Sequence, residues 1–332
     1  MKKLLQVLNG QVISPPPFWF MRQAGRYMQE YRDLRAEAGS FLNLCFNDEH
    51  AAEVTMQPIR AFDMDAAIIF ADILLIPNAL GVDLDFLEGE GPVLGSFVTE
   101  KLKYDETKLA PVFSALRRVK QMLPADKTLI GFAGSPWTVA SYMIEKRSGT
   151  NFEKIKSLAY SSPKELQKLI DILISSTVKY LDAQIRSGAE VIQLFDSWAG
   201  ELSDSEFEKW VITPNAEIVR KLKSLHPEIK IIGFPRRSGT MLKSFAELTK
   251  VDCMAIDHSV SMKFAADNLD CVLQGNLDPE FLLGDKDRIK LETLKILDVM
   301  KDRPFIFNLG HGINQHTPVE NIAYLSELLR KG

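Results

Sequence analysis

Residues 163 to 197 read PKELQKLIDILISSTVKYLDAQIRSGAEVIQLFDS. Pro163 opens a helix, because a first turn leaves its N–H groups unbonded and proline has none to lose. The apolar stripe Leu166, Leu169, Ile170, Leu173, Val178, Leu181 and Ile185 recurs at helical spacing, and Gly188 stops it. The run Ala189 to Phe195 is then apolar almost throughout rather than alternately, as in a strand buried on both faces. It gives way at once to Asp196 and Ser197. Such a unit belongs to a parallel sheet covered by helices.

The pattern recurs. Strand-like runs lie at Pro17 to Met21, Met64 to Phe70, Thr128 to Phe132, Ile229 to Phe234, Val251 to Ile256, Cys271 to Gln274 and Pro304 to Phe307, which with Ala189 to Phe195 makes eight. Ser203 with Glu206, and Thr317 with Glu320 behind Pro318, read as capping boxes. Eight βα-type units predict a single (β/α)8 TIM barrel over residues 1–332, an α/β fold with an N-terminal extension and long loops. The segment from Gly81 to about Lys103, with Gly89, Gly91 and Gly95, reads as an addition or long loop. An open doubly wound sheet is the alternative, because a strand count does not establish closure.

A net charge of −4 provides no general basic field for nucleic acid or an anionic membrane, so an anionic ligand must be caught by local arginines. Three cysteines, Cys45, Cys253 and Cys271, form no CxxC pair and point to a reducing, cytoplasmic location. The segment before Gly10 is too short for a secretory signal, and no apolar stretch reaches membrane-spanning length. Neither GxGxxG after a strand nor a Walker motif occurs. His50, His226, His258, His311 and His316 lack metal-ligand spacing, and Asp257 with His258 would need distant help; no metal is expected.

In a barrel the chemistry gathers where strands end. The runs are followed by Arg22, Asp72, Gly134-Ser135-Pro136, Asp196-Ser197, Arg236-Arg237, Asp257-His258, Asn276-Leu277-Asp278 and Gly310-His311-Gly312. Residues 21 to 27, Met-Arg-Gln-Ala-Gly-Arg-Tyr, set Arg22 and Arg26 four positions apart behind an apolar anchor. They read either as an anion site, with Gly25 allowing close backbone approach, or as members of ordinary surface ion pairs. Asp72, inside AIIFADILLIP, either pairs with an arginine or faces a ligand that supplies donors or positive charge. Tyr142, about two turns into a helix that starts near Pro136, either packs or points to the rim. His311 between glycines either meets a ligand or makes one backbone hydrogen bond. Ser197 lacks a Gly-x-Ser-x-Gly elbow and suits hydrogen bonding better than nucleophilic attack.

These residues resemble those of the uroporphyrinogen decarboxylase family over nearly the full length. MRQAGRYMQEYRDLR at 21 to 35 and GFAGSPWTVASYMIE at 131 to 145 are similar to its two signatures, supported by FADIL at 70 to 74, LFDSWAG at 194 to 200, QGNLDP at 274 to 279 and FNLGHGI at 307 to 313. The resemblance implies a (β/α)8 barrel, a homodimer, no cofactor, and removal of carbon dioxide from four acetate side chains of uroporphyrinogen III to give coproporphyrinogen III. It implies substrate binding by Arg22, Gln23, Ala24, Gly25, Arg26, Phe41, Asp72, Tyr142, Ser197 and His311, with Asp72, Arg22, Tyr142 and His311 as the catalytic set. Phe41 comes from the resemblance alone.

Departures from the family pattern occur at Ala71, where serine is common, at Lys146-Arg147-Ser148-Gly149, where a glycine-rich turn is usual, and at Arg236-Arg237, which carries an extra basic residue. Two rivals are a corrinoid-linked methyltransferase on the same barrel and a non-catalytic tetrapyrrole carrier. The methyltransferase zinc site resembles His-x-Cys with a later cysteine, whereas Asn43, Val251 and Leu269 stand two before the cysteines here.

Overall fold

Seven of the eight apolar runs pair as neighbours in one parallel sheet in the computed structural model, which describes residues 2–87, 91–147 and 149–331. The strands are β1 (Ala66–Ile68), β4 (Thr128–Gly134), β5 (Val191–Asp196), β6 (Lys230–Pro235), β7 (Cys253–Ala255), β8 (Val272–Leu277) and β9 (Phe305–Leu309), hydrogen-bonded in that order. Every position of β4, β7, β8 and β9 is buried, which accounts for their unbroken hydrophobicity. The predicted helix runs Pro163–Arg186 and ends ahead of Gly188, whose φ of +117° suits glycine. Gln184 fastens it to β4: its amide donates to the Phe132 carbonyl and accepts from the Phe132 N–H, both at 2.9 Å.

The eighth run behaves differently. Pro17 to Met21 makes an isolated parallel bridge between Phe18 and Phe307 rather than a strand. The Phe307 N–H donates to the Pro17 carbonyl at 2.9 Å, and on the other side the Asp65 N–H donates to the Phe18 carbonyl at 2.9 Å. Pro15, Pro16 and Pro17 have no N–H to give a ladder. The Phe18 N–H is taken by the Asp65 carboxylate at 2.9 Å instead of by a strand carbonyl. The eight-run expectation is therefore corrected to seven strands and one bridged segment.

The capping boxes also need correction. Ser203 precedes the helix Asp204–Phe207 but its side chain does not cap it, and Glu206 accepts from the Trp210 indole at 2.6 Å rather than reaching back. The buried Thr317 hydroxyl has no partner among the described residues.

The N-terminal extension forms a helix, Lys3–Leu8, whose Leu4, Val7 and Leu8 pack with Ala66, Val191, Cys253 and Val272, the first residues of their strands. It covers the amino ends of the sheet and leaves the carboxyl ends to the loops. Inside, the Trp19 indole donates to Gln274 at 2.9 Å and Gln274 donates to Gln193 at 3.1 Å. The expected loop after Gly81 contains a hairpin of β2 (Leu84–Leu87) and β3 (Gly91–Leu94); Gly89 lies outside the described residues, as does Ser148. The Leu94 N–H donates to the Lys146 carbonyl at 2.9 Å, and Lys146 Nζ donates to Ser96 at 2.6 Å. The departure at Lys146 and Arg147 thus docks on this hairpin.

Candidate active site

Two hydrogen bonds tie the arginine segment to the loop carrying His311. The Met21 N–H donates to Asn308 Oδ1 at 3.0 Å, and the Ile313 N–H donates to the Met21 carbonyl at 3.0 Å. Arg32 donates to the carbonyls of Arg26 and Tyr27 at 2.7 and 3.1 Å, and the Tyr27 hydroxyl donates to the Gln23 carbonyl at 2.5 Å. With its backbone so pinned, the segment turns at Arg22, where φ is +57°. The side chains of Arg22 and Arg26 are exposed, and among the described residues neither makes an ion pair or hydrogen bond. The surface ion-pair reading therefore fails. Gln23 is buried, with neither amide atom partnered among the described residues, and Ala24 packs partly against the core. A Cβ at Gly25 would meet the Arg22 carbonyl at an ordinary 3.5 Å, so the protein's own packing does not demand glycine there.

Asp72 lies in the turn after β1, half-buried, with its Oδ1 accepting from the Leu74 N–H at 2.8 Å. Burial raises its pKa to about 6, against the opposing pull of the Leu74 amide and the Arg22 charge. No arginine pairs with it among the described residues. Tyr142 is the seventh residue of the helix Pro136–Glu145 and half-buried, its ring 5.8 Å from that of Trp198. Burial and the Asp72 charge push its phenol up to about 12, with Arg22, a hydrogen bond to Trp198 and Arg236 opposing. His311 is driven the other way, down to about 3, by burial and then by Arg236, Arg22, His258 and Arg237. It is neutral at physiological pH and its ring makes no hydrogen bond among the described residues.

Arg22 therefore lies within electrostatic range of Asp72, Tyr142 and His311, and Asp72 within range of Tyr142. Phe41 stands to one side on the helix Phe41–Phe46, its ring 5.8 Å from Phe70 and 4.5 Å from Phe86. Ser197 is half-buried beside Trp198. Asp196 is buried and structural: Thr138 donates to it at 2.5 Å and Asn215 at 3.2 Å, while burial raises its pKa to about 7. Arg236, directly behind β6 and outside the predicted site set, lies within electrostatic range of both Tyr142 and His311.

Arg22 and Asp72 thus follow the bridged Phe18 segment and β1 at the carboxyl ends of a helix-covered parallel sheet, the layout of an α/β protein whose site lies among the loops. The chain belongs to the uroporphyrinogen decarboxylase (URO-D) family, whose sequence model matches residues 1–332. It is 45% identical over 333 residues to the uroporphyrinogen decarboxylase of Novosphingobium aromaticivorans, covering 98% of each chain. With the uroporphyrinogen decarboxylase of Jannaschia sp. it shares 47% over 339 residues, covering 99% of this chain and 98% of that one. In solved structures, a methyltransferase from Methanosarcina mazei matches with a TM-score of 0.79 at 17% identity, covering 99% of this chain and 97% of that one. A B12-independent methionine synthase from Shewanella sp. W3-18-1 gives a TM-score of 0.56 at 9% identity, covering 86% and 88%. These structures share the fold. Among the described residues no group of three or more His, Cys, Asp or Glu is placed to hold a metal, and no helix is long and apolar enough to cross a membrane.

Proposed function

We propose that this chain decarboxylates uroporphyrinogen III, converting its four acetate side chains to methyls and yielding coproporphyrinogen III for haem biosynthesis. The observation that carries this reading is Asp72, a carboxylate behind β1 that accepts from the Leu74 N–H and, among the described residues, makes no ion pair. Decarboxylation leaves electrons on the departing carbon, and a pyrrole protonated at a ring carbon accepts them, so the substrate serves as its own electron sink. Protonating the ring creates a cation. A fixed carboxylate about 4 Å away stabilises it by about 4 kcal/mol at an effective dielectric near 20. That is about a thousandfold in rate. With its pKa near 6, Asp72 is mostly ionised at neutral pH and can play this part.

An arginine gripping the reacting carboxylate would stabilise the ground state, since that charge leaves with carbon dioxide. Arg22 and Arg26 therefore hold mainly the carboxylates that are not reacting, with Gln23, Ala24 and Gly25 shaping the segment between them. Tyr142, Ser197 and neutral His311 orient the side chains by hydrogen bonding, and Phe41 packs against the ring. Arg22 and His311 are the candidates for returning the proton. We take the architecture to be one (β/α)8 barrel over residues 1–332, with the bridged segment at Phe18 in the eighth place, acting as a cytoplasmic homodimer. Incubating the protein with uroporphyrinogen III under reducing conditions should give heptacarboxylate to tetracarboxylate products in sequence. Binding without any loss of carboxylates would overturn the reading in favour of a carrier.

A further inference from the structure

Arg236 follows β6 on a clamped backbone. Its N–H donates to the Asp196 carbonyl at 3.1 Å and its carbonyl accepts from the Gly200 N–H at 3.0 Å. The neighbouring acid is already engaged: Asp257 accepts from the Arg237 N–H at 2.6 Å, from the Ser259 N–H at 2.8 Å and from the Ser259 hydroxyl at 2.5 Å. Among the described residues the Arg236 guanidinium makes no ion pair or hydrogen bond, and its Nε is buried with no partner. A half-buried permanent cation left in this state is costly unless something else supplies the acceptor.

The fold says where that acceptor would come from. β6 stands four places from the Phe18 bridge through β7, β8 and β9, and four places through β5, β4 and β1. Arg22 and Arg236 thus arise from opposite parts of the sheet, yet both act on His311 and Tyr142. Burial, Arg237 and Arg22 depress the pKa of Arg236, and Asp257 and Glu201 compensate only in part. Two such unpaired cations, converging from opposite parts of the sheet, suit an anion that bears more than one carboxylate.

We propose that Arg236 binds a substrate carboxylate other than those held by Arg22 and Arg26. This rests on the decarboxylase reading, which turnover by the unaltered protein tests separately. The experiment compares Arg236→Gln, Arg236→Lys and Arg237→Gln on uroporphyrinogen III, with circular dichroism and thermal unfolding as checks on folding. Arg236→Gln is expected to raise KM about tenfold or more while changing kcat less than about threefold, the pattern of a lost charged hydrogen bond. Arg236→Lys keeps the charge, recovers part of the affinity, and serves in place of the glutamine variant if that one fails to fold. Arg237→Gln is expected to match the unaltered protein. An unchanged KM in folded Arg236→Gln, or an equal loss in Arg237→Gln, overturns the proposal. Fluorescence titration with uroporphyrin reads the same contact without turnover, so a missing tenfold weakening there overturns it even if the decarboxylase reading itself falls.

Discussion

Gly312 and Arg22 share one small volume: a Cβ added at Gly312 would stand 2.3 Å from Cδ of Arg22 and 2.5 Å from its Cγ. The glycine therefore reserves the path along which the guanidinium reaches the site. Gly310 differs, since its added Cβ would meet the backbone nitrogen of His258 at 2.3 Å.

Substituting these glycines should have opposite signatures. A side chain can swing away, so Gly312→Ala should fold normally and raise KM about tenfold by displacing Arg22. A backbone cannot, so Gly310→Ala should lower the midpoint of thermal unfolding. Steady-state kinetics and melting curves on the pair check this; a normal KM in Gly312→Ala contradicts the placement of Arg22.

Asp72→Asn should reduce kcat by about a thousandfold, the magnitude assigned to its charge. Stability should hold, because an amide oxygen can still accept from the Leu74 N–H. In the unaltered protein kcat/KM should fall as pH drops through about 6, where Asp72 takes up its proton. A pH profile flat from 7 to about 5 would remove Asp72 from the chemistry.

His311 should titrate far below the ordinary range in the empty protein, at about 3, and rise when a carboxylated tetrapyrrole neutralises the surrounding arginines. Histidine-selective NMR across a pH series, with and without coproporphyrin, measures both. A free-state pKa near 6.5 would show that Arg22 and Arg236 do not crowd it.

Asp196 makes a prediction about stability alone. Its folded pKa of about 7 is raised, so the folded state keeps a proton that the unfolded chain has released. That contribution is complete below about pH 4 and is lost as pH rises through about 7. Asp196→Asn should flatten this part of the dependence, measured by urea unfolding between pH 5 and about 8.

The two aspartates show what was legible in the chain. Each follows an apolar run, and nothing adjacent tells them apart. Thr138 and Asn215, the donors that occupy Asp196, come from other elements, so only the fold reveals that Asp72 is the one left free. Seven strands and the helix Pro163–Arg186 could be read because burial on both faces, proline and glycine leave local marks. The loss of the eighth strand depended on Asp65 reaching back to Phe18, a relation with no local signature.

The helix Lys3–Leu8 has a consequence for the order of assembly. Leu4, Val7 and Leu8 pack in one cluster with Ile306, about 300 positions away, so this contact closes one of the longest loops the chain can make. During synthesis this cluster stays incomplete until β9 has left the ribosome, even though Ala66, Val191 and Cys253 emerge earlier. The amino-terminal helix completes its packing only when the last strand is in place.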